Sequence, residues 1–470
     1  MPSSTPSLSR KFSAWVHALR YEDLPADVVD RAKGVTFQAL TSALVGSGMA
    51  DAQQMLAMMR EEEPCGQGEI SVLVDGTRLT RGSAAMVNSE LIFCGGKWDT
   101  FRMLTHPSCA ILPSALMAAQ VTGASGREFI TAIVAAYEVM ERMAADHIPT
   151  VMSRGFHAGP VFGIFGAAVA AAKLMRLDAE QIHGAIAQCV NLASGNLEGI
   201  RSGGRSLREG AAVRSALLAV AMARHGARGG ETVLEGEAGF YHSYAGNNLG
   251  QLRYSFTNDN RTKLDTIADD LGDRWIFLET LYRIYSTAGY NIAHVDVTAA
   301  LCTEHNILPA DVERIEAVVN WLETEYPSPA FPIPARAPTP GVGSTPYYSA
   351  YGVVQRGFPL NKFVERGTGP EDPPEVLELM HKVKIIPSPG HTLFGPTVTI
   401  HLKDGRSVTR AGTGREFIWN FDGLCARIGG IADNLPIPAE QYRELMAACS
   451  TLDELPRAEQ LVALTMKDGQ

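Results

Sequence analysis

Basic charge is what this chain most lacks: 41 Lys and Arg stand against 51 Asp and Glu, a net charge of −10 over 470 residues. Without a basic field it is a poor nonspecific partner for nucleic acid. Arginines can still cluster locally, so an anionic small substrate is not excluded. Long apolar runs are missing too. The most tempting one, Ala158 to Ala172, is too short to span a bilayer and is rich in Gly and Ala, which predicts a buried helix and no membrane partner. No basic leader precedes such a run, so neither a signal peptide nor a transit segment is expected. The seven cysteines are scattered, odd in number and without a CxxC pair, as in reduced cytoplasmic proteins. The 12 histidines form no HExxH or HxH pattern, so no local motif predicts a metal. A GxSxG elbow, a Walker loop and a clean GxGxxG after a strand are all absent, which argues against serine-hydrolase chemistry and nucleotide cofactors. The remaining composition, 46% hydrophobic and 20% charged, is ordinary for a globular protein long enough for two domains.

Helical periodicity fills most of the chain. Phe12, Trp15, Val16 and Leu19 lie at helical spacing, and Leu24-Pro25-Ala-Asp27 reads as a turn into the next helix. Asp75-Gly76 between two strand-like runs predicts a short hairpin over 69–80. Residues 81–245 read as Ala-rich helices broken by glycines. After Thr280 the pattern changes. Helix is expected at 295–303 and 347–355, and strands at 313–323, 383–386, 396–402 and 407–410, the last two joined by Asp404-Gly405. From Pro438 onward helix returns. The expected fold class is therefore mainly α, with a helical domain over 1–280 and 412–470 and an α+β domain over 281–411 inserted in it.

Three polar clusters interrupt the apolar helices. The first runs from Lys97 through Asp99, Thr100 and His106 to Pro107, with Gly95-Gly96 before it. Glycines give backbone freedom, and the prolines at 107 and 113 are expected to resist helix. His106 can move a proton near neutral pH. Asp99 can orient that imidazole, bind a substrate hydroxyl or cap a helix, and Thr100 can donate to a carboxylate or cap. The second cluster, Arg154-Gly-Phe-His157, stands at the mouth of a helix, where anions bind; there His157 either handles an anionic ligand or only caps. In the third, Arg201, Arg205 and Arg208 crowd a Gly-rich loop. Arginine forks match carboxylates, and the alternative is a solvated face paired with Glu198 and Glu209. Tyr285, Tyr290, His294 and the group Tyr347, Tyr348, Tyr351 supply further donors, which packing would also explain.

Taken together, Asp99-Thr100…Thr105-His106-Pro107-Ser108, the Arg154-Gly-Phe-His157 turn, Leu207…Gly210-Ala-Ala and Glu231-Thr-Val-Leu-Glu235-Gly-Glu-Ala-Gly239-Phe240 resemble the MmgE/PrpD family over nearly the whole chain. That family includes 2-methylcitrate dehydratase, cis-aconitate decarboxylase and iminodisuccinate epimerase. The resemblance implies a large all-helical domain built by both chain ends, a smaller α+β lid, a homodimer, no cofactor and a polycarboxylate substrate. It also implies catalytic roles for His106 and His157, a lid tyrosine at Tyr348, and substrate contacts by Lys97, Asp99, Thr100, Arg205, Tyr285, Tyr290 and His294. The chain departs from the family pattern in four places. Gly96 stands where the first aspartate of an Asp-x-Asp-Asp-Thr run is frequent. Arg205 and Tyr285 stand where lysines do, and Tyr290 stands where histidine is common. These changes imply a substrate with fewer or differently placed carboxylates, or with a less charged end facing the tyrosines. The expected activity is that of a cofactor-independent lyase, a dehydratase or decarboxylase acting by proton transfer beside a carboxylate. An isomerase or epimerase using the same proton abstraction, and an inactive carboxylate-binding relative, are the alternatives.

Overall fold

The computed structural model describes residues 6–63, 68–201, 207–330, 340–362 and 369–467. The fold is mainly α. The chain divides into two compact units, one of residues 1–252, 261–282 and 420–470, the other of residues 253–260 and 283–419.

The first unit is a helical assembly around the Ala158–Leu174 helix, buried along almost its whole length. Helices Pro107–Thr122, Gly126–Ala144, Ala179–Leu192 and Leu207–Arg224 pack on it. Small residues make the packing close. A Cβ added at Gly166 would lie 2.8 Å from Ile111 Cγ1, and one at Gly163 would lie 3.1 Å from Ala110 Cβ. The Ser114 hydroxyl donates to the Ala167 carbonyl at 2.6 Å. The contacts Ala110 with Gly163, Ile111 with Gly166 and Ser114 with Ala167 rise together in number, so the Pro107–Thr122 and Ala158–Leu174 helices run parallel.

Two sequence expectations are corrected here. Pro113 does not stop helix; it lies inside Pro107–Thr122. A mid-helix proline removes the donor for the carbonyl four residues earlier. That carbonyl, of Cys109, instead accepts from the Ser89 hydroxyl at 2.6 Å. The segment before Pro107 is also less irregular than expected, because Asp99–Thr100 forms a short antiparallel strand against Leu281–Tyr282. The expected hairpin is present in shortened form, Ile70–Ser71 against Arg78–Leu79, with Gly76 in the left-handed region at φ 78°.

The end of the chain packs on its beginning. On the Ala439–Ser450 helix the Tyr442 hydroxyl meets Thr41 Oγ1 at 3.0 Å. Its ring stands 5.4 Å from Phe37, which also meets Phe421 at 5.9 Å. Ala458 N–H donates to the Ala124 carbonyl at 2.8 Å.

The second unit carries a four-stranded sheet ordered Val383–Ser388, Val312–Asn320, Thr397–Leu402, Ser407–Ala411. Its first two strands are parallel and the other pairs antiparallel. Apolar residues alternate along Thr397–Leu402, with Val398, Ile400 and Leu402 buried, the period of a half-buried strand. Helices Gly289–Glu304 and Thr345–Gln355 pack against each other in this unit.

Tyr442→Ala should cost about 3–5 kcal/mol of stability, the usual range for losing a large buried aromatic. Tyr442→Phe should cost about 1 kcal/mol, the worth of its hydrogen bond. Urea unfolding of both variants checks this, and equal losses would mean that the ring packing contributes nothing.

Candidate active site

His106 is the residue just before the Pro107–Thr122 helix, its N-cap. It is buried, and its Nδ1 lies 3.0 Å from Thr100 Oγ1 and 3.2 Å from the Asp99 carbonyl. A carbonyl only accepts, so the contact with Asp99 calls for a proton on Nδ1. A bare Nδ1 would set two lone pairs against each other at that distance. The neutral ring is therefore the Nδ1–H form, and Nε2 carries the lone pair that can take up a proton. The Trp98 ring stands edge-on to the imidazole, centroids 5.0 Å apart, and limits its tilt. The Thr100 hydroxyl, expected to touch substrate, is engaged with His106.

Asp99 is completely buried. One carboxylate oxygen accepts the Ser108 N–H at 3.0 Å and the other accepts the Tyr137 hydroxyl. Burial raises its pKa to about 6, while the bonds from Tyr137 and Ser108 pull the other way. Of the roles expected for Asp99, these contacts support orienting the imidazole and capping the helix. Lys97 is buried as well, and its backbone N–H donates to Ser42 Oγ at 3.0 Å.

His157 is the N-cap of Ala158–Leu174, and its N–H donates to the Gly195 carbonyl at 3.0 Å. Its Nδ1 lies 3.8 Å from Glu209 Oε1, both side chains being buried. Glu209 sits in the first turn of Leu207–Arg224. A Cβ at Gly159 would lie 2.6 Å from the Glu209 carboxylate and 3.1 Å from the His157 ring, so glycine there keeps the pair together. Because the Pro107 and Ala158 helices are parallel, His106 and His157 cap the same end of the pair. The start of Leu207–Arg224 joins that end through Glu209. Three helix N-termini thus lie toward one end, and their dipoles favour an anion. Arg205 lies outside the described residues, as do the side chains of Arg201 and Arg208.

The remaining expected residues belong to the second unit. Phe358 gathers Tyr285 at 5.5 Å, Tyr348 at 5.0 Å and Tyr351 at 4.8 Å between ring centroids. Burial pushes the Tyr348 hydroxyl up to about 12, opposed by a hydrogen bond with Thr287 and by Arg283. At neutral pH Tyr348 keeps its phenolic proton, so it can serve as an acid and not as a base. Tyr290 packs beside Tyr326, centroids 6.1 Å apart. His294 is fully buried, with Nδ1 3.0 Å from Ser349 Oγ. The Tyr347 and Tyr351 hydroxyls both donate to Asp372 at 2.6 Å, and Lys362 pairs with the same carboxylate at 3.1 Å.

Tyr137, Glu209 and Phe358 were missed as functional candidates. Tyr137 and Glu209 had a readable sign, since each is a polar group within or opening an otherwise apolar helix. Phe358 had none. Among the described residues no cluster of three His, Cys, Asp or Glu could hold a metal ion, and no helix is long and apolar enough to cross a membrane.

A family model described as the MmgE/PrpD N-terminal domain matches residues 10–251. The cis-aconitate decarboxylase-like protein oryM of Aspergillus oryzae is 26% identical over 440 residues, covering 86% of each chain. A cis-aconitate decarboxylase of Aspergillus terreus is 26% identical, covering 84% of this chain and 83% of its own. The human cis-aconitate decarboxylase is 24% identical, covering 86% of this chain and 82% of its own.

Burial lowers the His294 pKa to about 3, below the unfolded value of about 6.5. A depressed histidine stabilises the fold above the unfolded pKa, and that contribution is lost as pH falls. From pH 7.5 to pH 5 the loss is about 2 kcal/mol, at about 1.4 kcal/mol per unit. His294→Gln should therefore flatten the fall in stability over this window in urea unfolding. Parallel pH slopes for parent and variant would show a solvated, titrating His294.

Proposed function

The chain belongs to the MmgE/PrpD family, and from that footing we propose that it is a lyase that removes carbon dioxide from a small unsaturated polycarboxylate. The observation that carries this reading is the pairing of His106 and His157 at one end of two parallel helices. The names of the relatives support decarboxylation over dehydration.

The chemistry is a balanced exchange. The double-bond electron pair takes a proton at its far carbon. The electrons of the bond to the departing carboxylate form the new double bond, and carbon dioxide leaves. His106 and His157 share the proton handling. The Nε2 of His106 binds or releases the proton, because Nδ1 is committed to the Asp99 carbonyl. Glu209 beside His157 favours its charged form, a proton donor. The carboxylates that stay on the substrate bind the helix N-termini, with Arg205 and Lys97 as cations. Family resemblance alone supports a homodimer, and the scattered cysteines support reduced, cytoplasmic surroundings.

Incubation with cis-aconitate and a panel of related acids in deuterium oxide, followed by proton NMR, tests the reaction. A new alkene, one carbon-bound deuterium and released carbon dioxide are expected. Exchange at one carbon without these products would replace the lyase by an epimerase. Binding without any turnover would leave a carboxylate-binding protein.

His106→Ala should lower turnover by about 10²–10⁴-fold, the usual worth of a general acid or base, in a protein that still folds. Near-parent turnover in the folded variant would end its assignment. Arg205→Lys should raise the Michaelis constant by losing the fork, and Arg205→Met should raise it further. If both bind as the parent does, the carboxylate anchor lies elsewhere.

A further inference from the structure

We propose that Tyr137 is a positioning residue for His106, acting through the two oxygens and the carbonyl of Asp99. The inference rests on the reading of His106 as the proton-transfer group. It adds a residue from the middle of another helix, Gly126–Ala144, to that machinery.

Asp99 holds His106 from two sides. Its carbonyl faces the ring nitrogen at 3.2 Å, and its carboxylate accepts the Ser108 N–H at 3.0 Å. Proline at 107 has no N–H, so the bond to Ser108 uses the first backbone donor of the helix that His106 caps. The ring and the backbone that carries it are thus tied to one residue. The carboxylate itself is held by Tyr137, whose hydroxyl donates to the second oxygen. Tyr137 is fully buried, and its ring rests against Phe277 with centroids 4.5 Å apart. Burial, with Asp99 alongside, raises its pKa well above the ordinary value, so it remains a donor at any working pH. The other ionisable groups around this pair are Glu141, Glu138, Tyr282 and Cys109 on packed elements. Burial raises Glu141 and Tyr282, and Glu138 is paired with Arg142 at 2.8 Å.

Without the Tyr137 hydroxyl one buried carboxylate oxygen loses a donor, which is costly for a group out of water. Asp99 then turns or takes a proton, and the short strand carrying its carbonyl shifts. The Nδ1–H contact lengthens, and Thr100 can donate to a bare Nδ1 instead. The Nε2 lone pair is lost in that fraction of molecules. Tyr137 does not reach substrate in this arrangement, so the loss falls on the rate and not on binding.

The test uses the full chain with ¹⁵N-labelled histidine, the His106 signals being assigned through His106→Gln. In the parent, the ring shifts should report the Nδ1–H form. Tyr137→Phe keeps the ring and its contact with Phe277. It should move the His106 ring shifts toward the Nε2–H form and lower kcat on the turned-over acid by about tenfold, the lower end for removing an orienting partner of a histidine, with KM unchanged. Tyr137→Leu serves as the second variant if Tyr137→Phe yields no folded protein. Parent-like His106 shifts in a folded variant would overturn the proposal, whatever the change in melting temperature. A normal kcat in His106→Ala would instead remove the function reading, while the shift of the ring signals on losing the hydroxyl would stand.

Discussion

The closeness of the Pro107–Thr122 and Ala158–Leu174 helices is the constraint on which the candidate site depends. Gly163 and Gly166 leave no room for side chains against Ala110 and Ile111. Any larger residue would push the axes apart or tilt them. The helices are parallel and nearly in register, so their capping histidines end up at one place. A proton site could otherwise be built only on loops, where geometry is looser. Here two helix starts, each fixed by a buried core, set the positions of both imidazoles.

Much of this was legible in the chain. The Ala-rich stretches with glycine breaks announced packed helices, because nothing else buries so many small residues. The strands of the second unit were legible for the opposite reason. Runs such as Thr397–Leu402 alternate with period two and turn at Asp404-Gly405. The polar groups at 97–106 and His157 also stood out locally. What could not be read was long-range. The strand Asp99–Thr100 exists only because Leu281–Tyr282 pairs with it, and no local pattern announces a partner so distant in the chain. Pro113 misled because the compensating donor, Ser89, is on another helix. Phe358, which gathers three tyrosines, looks in sequence like any loop phenylalanine.

The site residues divide along the same line. Thr100 and Asp99 were singled out for their polar side chains, and those side chains make hydrogen bonds to His106 and to the start of its helix. A local cluster of polar residues signals a site without telling which member meets ligand. That depends on which hydrogen bonds are already satisfied inside the protein, a property of the folded neighbourhood. His294 makes the point in reverse. Its helix packs against the tyrosine-rich Thr345–Gln355 helix, yet burial holds it neutral.

An acidic protein that takes an acidic substrate must also explain its own buried carboxylates. Asp99, Glu138 and Glu141 all lie in the core behind the His106 helix. Were they all charged, their field would oppose the helix N-termini. They are muted in three ways. Burial raises Glu141 well above its ordinary pKa, which biases it toward the uncharged form. Glu138 is neutralised by Arg142. Asp99 is raised to about 6 and spends both oxygens on Ser108 and Tyr137. A helix-end field acts only over about the first turn, so charge cancelled there matters more than the net charge of −10 on the whole chain. An anion can therefore be held at the helix starts of a protein that carries an excess of acid, because the acid nearest them is biased toward its uncharged form, paired or already hydrogen-bonded.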